Sequence, residues 1–236
     1  MKKSHNMNVT EETKHTCEFC KKEFVRERTL FTHTCTIKNR WLSKDLPGNR
    51  IGFQAYVQFY KKNSAKKNLK TYEEFIRDPF YSAFTKFGIY CVDIKCVNIT
   101  RYNDWLLKNN IKIDNWATDT NYTKFLCEYL LVEDPLDAIH RSIEHIIEKA
   151  TNESVLTKDY LRYGNTNVIS NEIAKGKISP WLLYCSNSGV KFIESLRSDQ
   201  QKMIMDYIDP EKWALKFHRE PDITKQVKEI LYAGGY

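Results

Sequence analysis

Three cysteines and a histidine near the amino terminus are spaced as Cys17-x2-Cys20-x12-His33-x-Cys35. Two thiols two residues apart, followed by an imidazole and a third thiol, place four soft or borderline donors in one short stretch. Such donors hold a transition-metal ion in a tetrahedron. His15 is an alternative fourth donor. The chain carries seven cysteines, the other four being Cys91, Cys96, Cys127 and Cys185. An odd count argues against a disulfide framework, and these four, set among apolar neighbours, read as small buried hydrophobes.

Inside the cluster, Phe24 follows Cys20 after three residues, Leu30 follows Phe24 after five, and His33 follows Leu30 after two. With these spacings the segment resembles the two-Cys two-His zinc finger family. The resemblance implies a hairpin knuckle bearing Cys17 and Cys20, a small core of Phe24 and Leu30, and His33 on a short helix. It also implies Zn2+ as the cofactor that makes so short a segment fold, since ~25 residues bury too little surface to fold alone. The family carries a second His three to five residues after the first, whereas here Cys35 follows His33 after one. Residues two apart cannot share a helical face, so the helix must end or tighten near His33. Counted back from Leu30, the family's base-reading positions fall on Arg26, Thr29 and Thr32, and Arg26 would suit a guanine edge.

The charge is unevenly distributed. The formal net charge is +7, but residues 1–70 hold 16 Lys/Arg against 6 Asp/Glu, and the remaining 166 hold 21 against 24. A basic step that coincides with a finger-like motif points to a polyanionic partner, DNA or RNA, held through its phosphates. The candidate contacts are Arg26, Arg28, Thr29, Thr32, Lys38, Arg40 and Arg50, with Lys61, Lys62, Lys66 and Lys67 of the run KKNSAKKNLK. That run separates an aromatic helix at 51–60 from another at 71–87. Phe53, Tyr56, Phe59, Tyr60, Phe80, Tyr81, Phe84 and Phe87 have the face to stack single-stranded bases, although at helical spacing such residues form core.

From residue 50 onward the punctuation is helical. Thr71-x-x-Glu74 and Ser198-x-x-Gln201 read as capping boxes. Asp78-Pro79, Asp134-Pro135, Ser179-Pro180 and Asp209-Pro210 each place a capping residue before a proline at the first helical position. Gly88, Gly164, Gly176 and Gly189 mark expected helix ends or turns. Apolar residues recur at three and four in Ile139/Ile143/Ile146/Ile147, Tyr122/Phe125/Leu126/Tyr129 and Val227/Ile230/Leu231. Eight glycines and six prolines in 236 residues are too few for a many-stranded sandwich or barrel. No run approaches the ~18 apolar residues of a membrane span.

Catalytic signals are sparse. No phosphate-cradling G-x-x-x-x-G-K run occurs. Asp137, His140 and Glu144 share one face of the expected helix 135–150 and have the chemistry for acid–base work; a solvated polar face explains them equally. Leu46-Pro47-Gly48-Asn49-Arg50-Ile51-Gly52 partly resembles the phosphate-holding hairpin of the helix-hairpin-helix DNA glycosylases, and the resemblance makes Asp78 a candidate carboxylate. Two residues are inserted between the glycines of that hairpin, and Asp78 also reads as a cap.

The segments CEFCKKEFVRERTLFTHTC, RIGFQAYVQFY and GKISPWLLY give the whole chain a resemblance to small tailed-bacteriophage proteins that pair a finger with a helical body. The resemblance implies work on phage DNA in the host cytoplasm and lends no catalytic residue. Trp181 either plugs the core or faces a partner.

The expected fold is mainly α: a small ββα zinc finger followed by a compact multi-helix bundle. Expected boundaries are a disordered 1–14, a finger at 15–37, a basic connector with the first helix at 38–70, and a helical body at 71–236 with a sub-division near 151. The expected function is nucleic-acid binding without membrane association. The alternatives are a nucleic-acid-modifying enzyme with its pocket in the body, and a protein-interaction adaptor.

Overall fold

A computed structural model of the 236-residue chain describes residues 14–63 and 70–236. Lys66, Lys67 and nearly all of the amino-terminal stretch expected to be disordered lie outside them. The fold is mainly α, as the sequence predicts. Among the described residues the only sheet is an antiparallel pair, β1 (His15–Thr16) and β2 (Glu23–Phe24), with His15 opposite Phe24. The chain divides into two compact units after Val92.

The amino-terminal unit continues from the hairpin through α1 (Glu27–Phe31), α2 (Thr36–Leu42), α3 (Pro47–Asn63), α4 (Tyr72–Arg77) and α5 (Tyr81–Asp93). Its core is aromatic. Tyr56, Phe75, Tyr81, Phe84 and Phe87 are buried, and Phe53, Phe59 and Tyr60 pack around them half-buried. Their rings meet mostly tilted or edge-on, Tyr56 on Phe84 with centroids 5.5 Å apart and Phe75 on Tyr81 at 4.7 Å, the arrangements that ring quadrupoles favour. The aromatic helices therefore form core, and of the eight rings only that of Phe80 is largely exposed.

Two sequence expectations need correction here. The segment 46–52 forms no hairpin: Pro47 opens α3, and Gly48 and Gly52 lie within that helix. Gly88 ends no helix but lies inside α5. A Cβ on Gly88 would stand 1.9 Å from Gly48 O, and one on Gly52 would stand 2.7 Å from Phe84 O. The three glycines let two backbones approach closely, which is why they occupy positions where helix propensity disfavours them.

The carboxy-terminal unit is built from α6 (Ile99–Lys108), α7 (Asp119–Tyr129), α8 (Pro135–Glu153), α9 (Tyr160–Tyr163), α10 (Thr166–Ala174), α11 (Pro180–Cys185), α12 (Asn187–Ser195), α13 (Ser198–Ile208), α14 (Pro210–Arg219) and α15 (Pro221–Ala233). The capping signals act largely as read. Asp134 Oδ1 accepts from the N–H groups of Leu136 and Asp137, and Asp209 Oδ1 from those of Glu211 and Lys212. Thr71 and Glu74 form a reciprocal capping box. The expected box at Ser198 is displaced by one residue, with Gln200 Oε1 accepting from Arg197 N. Gly164 caps α9 and Gly176 turns the chain after α10 at φ 74°, whereas Gly189 is interior to α12, where a Cβ would meet the Leu183 backbone at 2.4 Å.

Trp181 is fully buried, edge-on to Trp213 and Phe217, so it belongs to the core. Among the described residues no helix is long and apolar enough to cross a membrane.

Candidate metal centre and basic surface

The hairpin is shaped by its knuckle. Cys17 N–H donates to Lys22 O at 2.9 Å and Lys21 N–H donates to Cys17 O at 2.9 Å, with Lys21 held at φ 60°. This tight reversal carries Cys17 and Cys20 side by side. Helix α1 ends at Phe31 with Thr32 as its cap, and His33 and Cys35 follow in extended chain. The expectation that the helix ends near His33 holds, but His33 does not ride it. The cause is the single residue between His33 and Cys35, which no helical face can accommodate.

The donor atoms of Cys17, Cys20, His33 and Cys35 all lie within 4.8 Å of one another, and His33 Nε2 is 3.3 Å from Cys20 Sγ. Donors around a tetrahedral ion stand about 3.5–3.8 Å apart, so no pair must close by more than about 1 Å. The set therefore fits a metal ion. Cys35 completes it; His15 is in β1, outside the cluster.

Cys17 and Cys35 are buried, and Cys20 and His33 half-buried. The Cys20 backbone N–H is the main influence drawing the Cys17 thiol down to about 7. At Cys20 the Lys22 N–H pulls the same way, but desolvation and the Cys17 and Cys35 thiols outweigh it and hold that group above its ordinary value. Phe24 packs on the His33 ring at 4.9 Å, and Leu30 is half-buried with it.

The sequence alone did not reveal that Cys35 is also the N-cap of α2, its Sγ accepting the Lys38 N–H at 3.4 Å. An acceptor there satisfies one of the N–H groups that the first turn of a helix leaves without an intrahelical partner. Arg77 Nη2 also donates to Phe19 O at 3.0 Å, fastening the knuckle to α4.

The expected nucleic-acid contacts divide into two groups. Arg26, Arg28, Thr29, Thr32, Lys38, Arg50, Lys61 and Lys62 are exposed. The ion pairs among this unit's described residues are Lys14–Glu23 and Lys70–Glu74, so among those residues Arg26, Arg28, Lys38, Arg50, Lys61 and Lys62 meet no carboxylate at ion-pair distance. Arg40 differs: it is half-buried, donates to Ile76 O at 2.7 Å and lies 4.2 Å above the Tyr81 ring. Phe31, which the sequence reading did not single out, is 92% exposed at the end of α1.

Asp78 is the C-cap residue of α4 and not the expected N-cap, because α5 begins at Tyr81 and not at Pro79. Its Oδ1 accepts from Phe80 N at 2.8 Å and its Oδ2 from the Tyr60 hydroxyl at 2.9 Å. Asp137 is exposed, and His140 Nδ1 stands 3.6 Å from Glu144 Oε2 with both side chains largely in solvent. No family model, curated protein or solved structure gives a significant match to this chain.

Proposed function

We propose that this is a zinc-stapled nucleic-acid-binding protein that grips phosphates with its amino-terminal unit. The observation that carries the reading is the convergence of Cys17, Cys20, His33 and Cys35 in a stretch that also carries exposed cations. Three thiolates and an imidazole are the donor chemistry of a closed structural zinc site, with no position left for a substrate. Bound zinc would supply the folding free energy of the hairpin, roughly 10–16 kcal/mol in finger peptides. Cys17, Cys20 and Cys35 would hold it through Sγ and His33 through Nε2, while the chain around them presents α1 and the start of α2 to the ligand.

Arg26, Arg28 and Lys38 then supply charge, Thr29 supplies a hydroxyl, and Phe31 supplies an exposed ring for base stacking. Thr32 supplies a hydroxyl only by releasing the bond that it donates to Arg28 O. A single finger spans only about three base pairs, so backbone contacts dominate and sequence preference is slight. Work on phage DNA, which the sequence resemblance implies, is consistent with this reading.

The test is salt-dependent binding to duplex and single-stranded DNA and to RNA. Each lost phosphate contact flattens the log–log salt slope by about 0.7–0.9. Neutralising Arg26, Arg28 and Lys38 together should flatten it by about two to three units; an unaltered slope refutes the grip.

A further inference from the structure

A second feature, independent of the metal centre, lies wholly within the carboxy-terminal unit. A cavity of about 550 Å³ opens between α7, α8 and α10, within the size range of small-ligand sites. Its lining includes the buried Lys177 and Glu172 and the half-buried His145, together with Lys149, Lys175 and Lys95. Lys177 is 7% exposed, and among the described residues its ammonium has a single acceptor, Lys95 O, and no carboxylate at ion-pair distance.

Around Glu172 the balance is also positive. His145 Nε2 lies 2.7 Å from Glu172 Oε2, with Lys175 Nζ at 3.7 Å and Lys149 Nζ at 4.0 Å from Oε1. One buried carboxylate thus answers three basic groups, and among the described residues no carboxylate stands at ion-pair distance from Lys177. Burial draws the Lys177 ammonium down to about 8, a direct expression of the cost of holding a cation there. Asp93 and Asp119 contribute negative charge to the exposed part of the same lining, where Lys175 also lies and where Lys95 is paired with Glu148 at 3.4 Å. The excess of cations is thus confined to the buried part around Lys177.

The wall is also cross-braced. Arg141 pairs with Glu133 and donates to the carbonyls of Gly176 and Lys177, and Ser179 N donates to Ser142 Oγ at 2.8 Å, so α8 holds the turn that carries Lys177. An unpaired buried charge costs several kcal/mol unless something compensates it, and a preformed pocket with spare N–H donors suits an acceptor-rich anion.

We infer that this cavity binds a small phosphorylated molecule, its phosphate held by Lys177, Lys149 and Lys175 and its uncharged remainder filling the volume beyond. Inorganic phosphate and a phosphomonoester share the headgroup chemistry; the volume favours the phosphomonoester.

The experiment is calorimetric titration of the full-length, metal-loaded chain with AMP, inorganic phosphate and adenosine. AMP should bind, adenosine should not, and phosphate should compete with AMP; binding of phosphate without AMP would support the site with the free anion as its occupant. Lys177→Met should weaken binding at least tenfold, and so should a Lys149→Ala/Lys175→Ala double variant. The double variant alters the more accessible side chains and so keeps the test valid should Lys177→Met misfold. Neutralising Arg26, Arg28 and Lys38 should leave AMP binding unchanged. The inference is overturned if neither anion binds at millimolar concentration, if adenosine binds as well as AMP, if the double variant binds like the parent, or if the finger variant loses binding instead.

Discussion

The Sγ of Cys35 accepts the backbone N–H of Lys38 at 3.4 Å, so the thiol that completes the donor cluster also starts the next helix. The two roles separate by substitution. Cys35→Ser and Cys35→Ala should each abolish stoichiometric metal binding, but serine retains an N-cap oxygen. The alanine variant should be less stable than the serine variant by about 0.5–2 kcal/mol, read from denaturant unfolding of the two metal-free proteins. Equal stabilities would mean that the sulfur does not cap the helix.

Arg40 and Arg28 make a second contrast, between a cation used inside the fold and one left outside it. Arg40 is tied to Ile76 O and the Tyr81 ring, whereas Arg28 is exposed. Arg40→Ala should cost about 1–3 kcal/mol of stability with little change in the salt slope of nucleic-acid binding. Arg28→Ala should shift stability by less than about 0.5 kcal/mol and flatten the slope. Thermal melts paired with fluorescence titrations at several salt concentrations check both arms, and a reversed pattern contradicts the division.

Close approach of α3 and α5 rests on Gly88, where a Cβ would meet Gly48 O and Gly52 N. Gly88→Ala raises intrinsic helix propensity, so propensity alone predicts a stabilised protein. Overpacking against backbone should reverse the sign and cost about 1–3 kcal/mol or more. A raised melting temperature would show that the helices separate without penalty.

Acid should weaken the carboxy-terminal unit through Glu172. The His145 interaction, followed by Lys149 and Lys175, holds this carboxyl down to about 2. A carboxyl depressed in the folded state stabilises fully above its ordinary value near 4.5, and that contribution disappears as the pH falls from there to about 2. The window is worth at most about 3 kcal/mol. The stability advantage of the parent over Glu172→Gln should therefore shrink between pH 5 and pH 2. A difference that stays constant with pH would contradict the interaction.

Much of the helical architecture was legible because its signals are local. Asp134, Ser179 and Asp209 sit one residue before a proline, and a cap needs nothing beyond the next turn. The donor cluster was legible for the same reason, since its spacing fits one short fold around one ion. Gly88 and Gly189 misled because the same lack of a side chain serves a helix end and a close helix contact, and only tertiary packing distinguishes them. Arg40 could not be separated from Arg28 in a basic stretch without knowing where Ile76 and Tyr81 fall. The group around Lys177 gave no pattern at all: His145 and Lys149 come from α8, Glu172 from α10 and Lys177 from the following turn. The run Lys175-Gly176-Lys177 was its only local trace.

The most direct test of the central claim is metal analysis of the purified chain, kept reduced, alongside Cys20→Ser. The account predicts one tightly held zinc per parent chain, none in the variant, and a hairpin that loses its ordered amide signals when the ion is removed. A metal-free parent with an intact hairpin, or a Cys20→Ser protein that keeps its zinc, would contradict it.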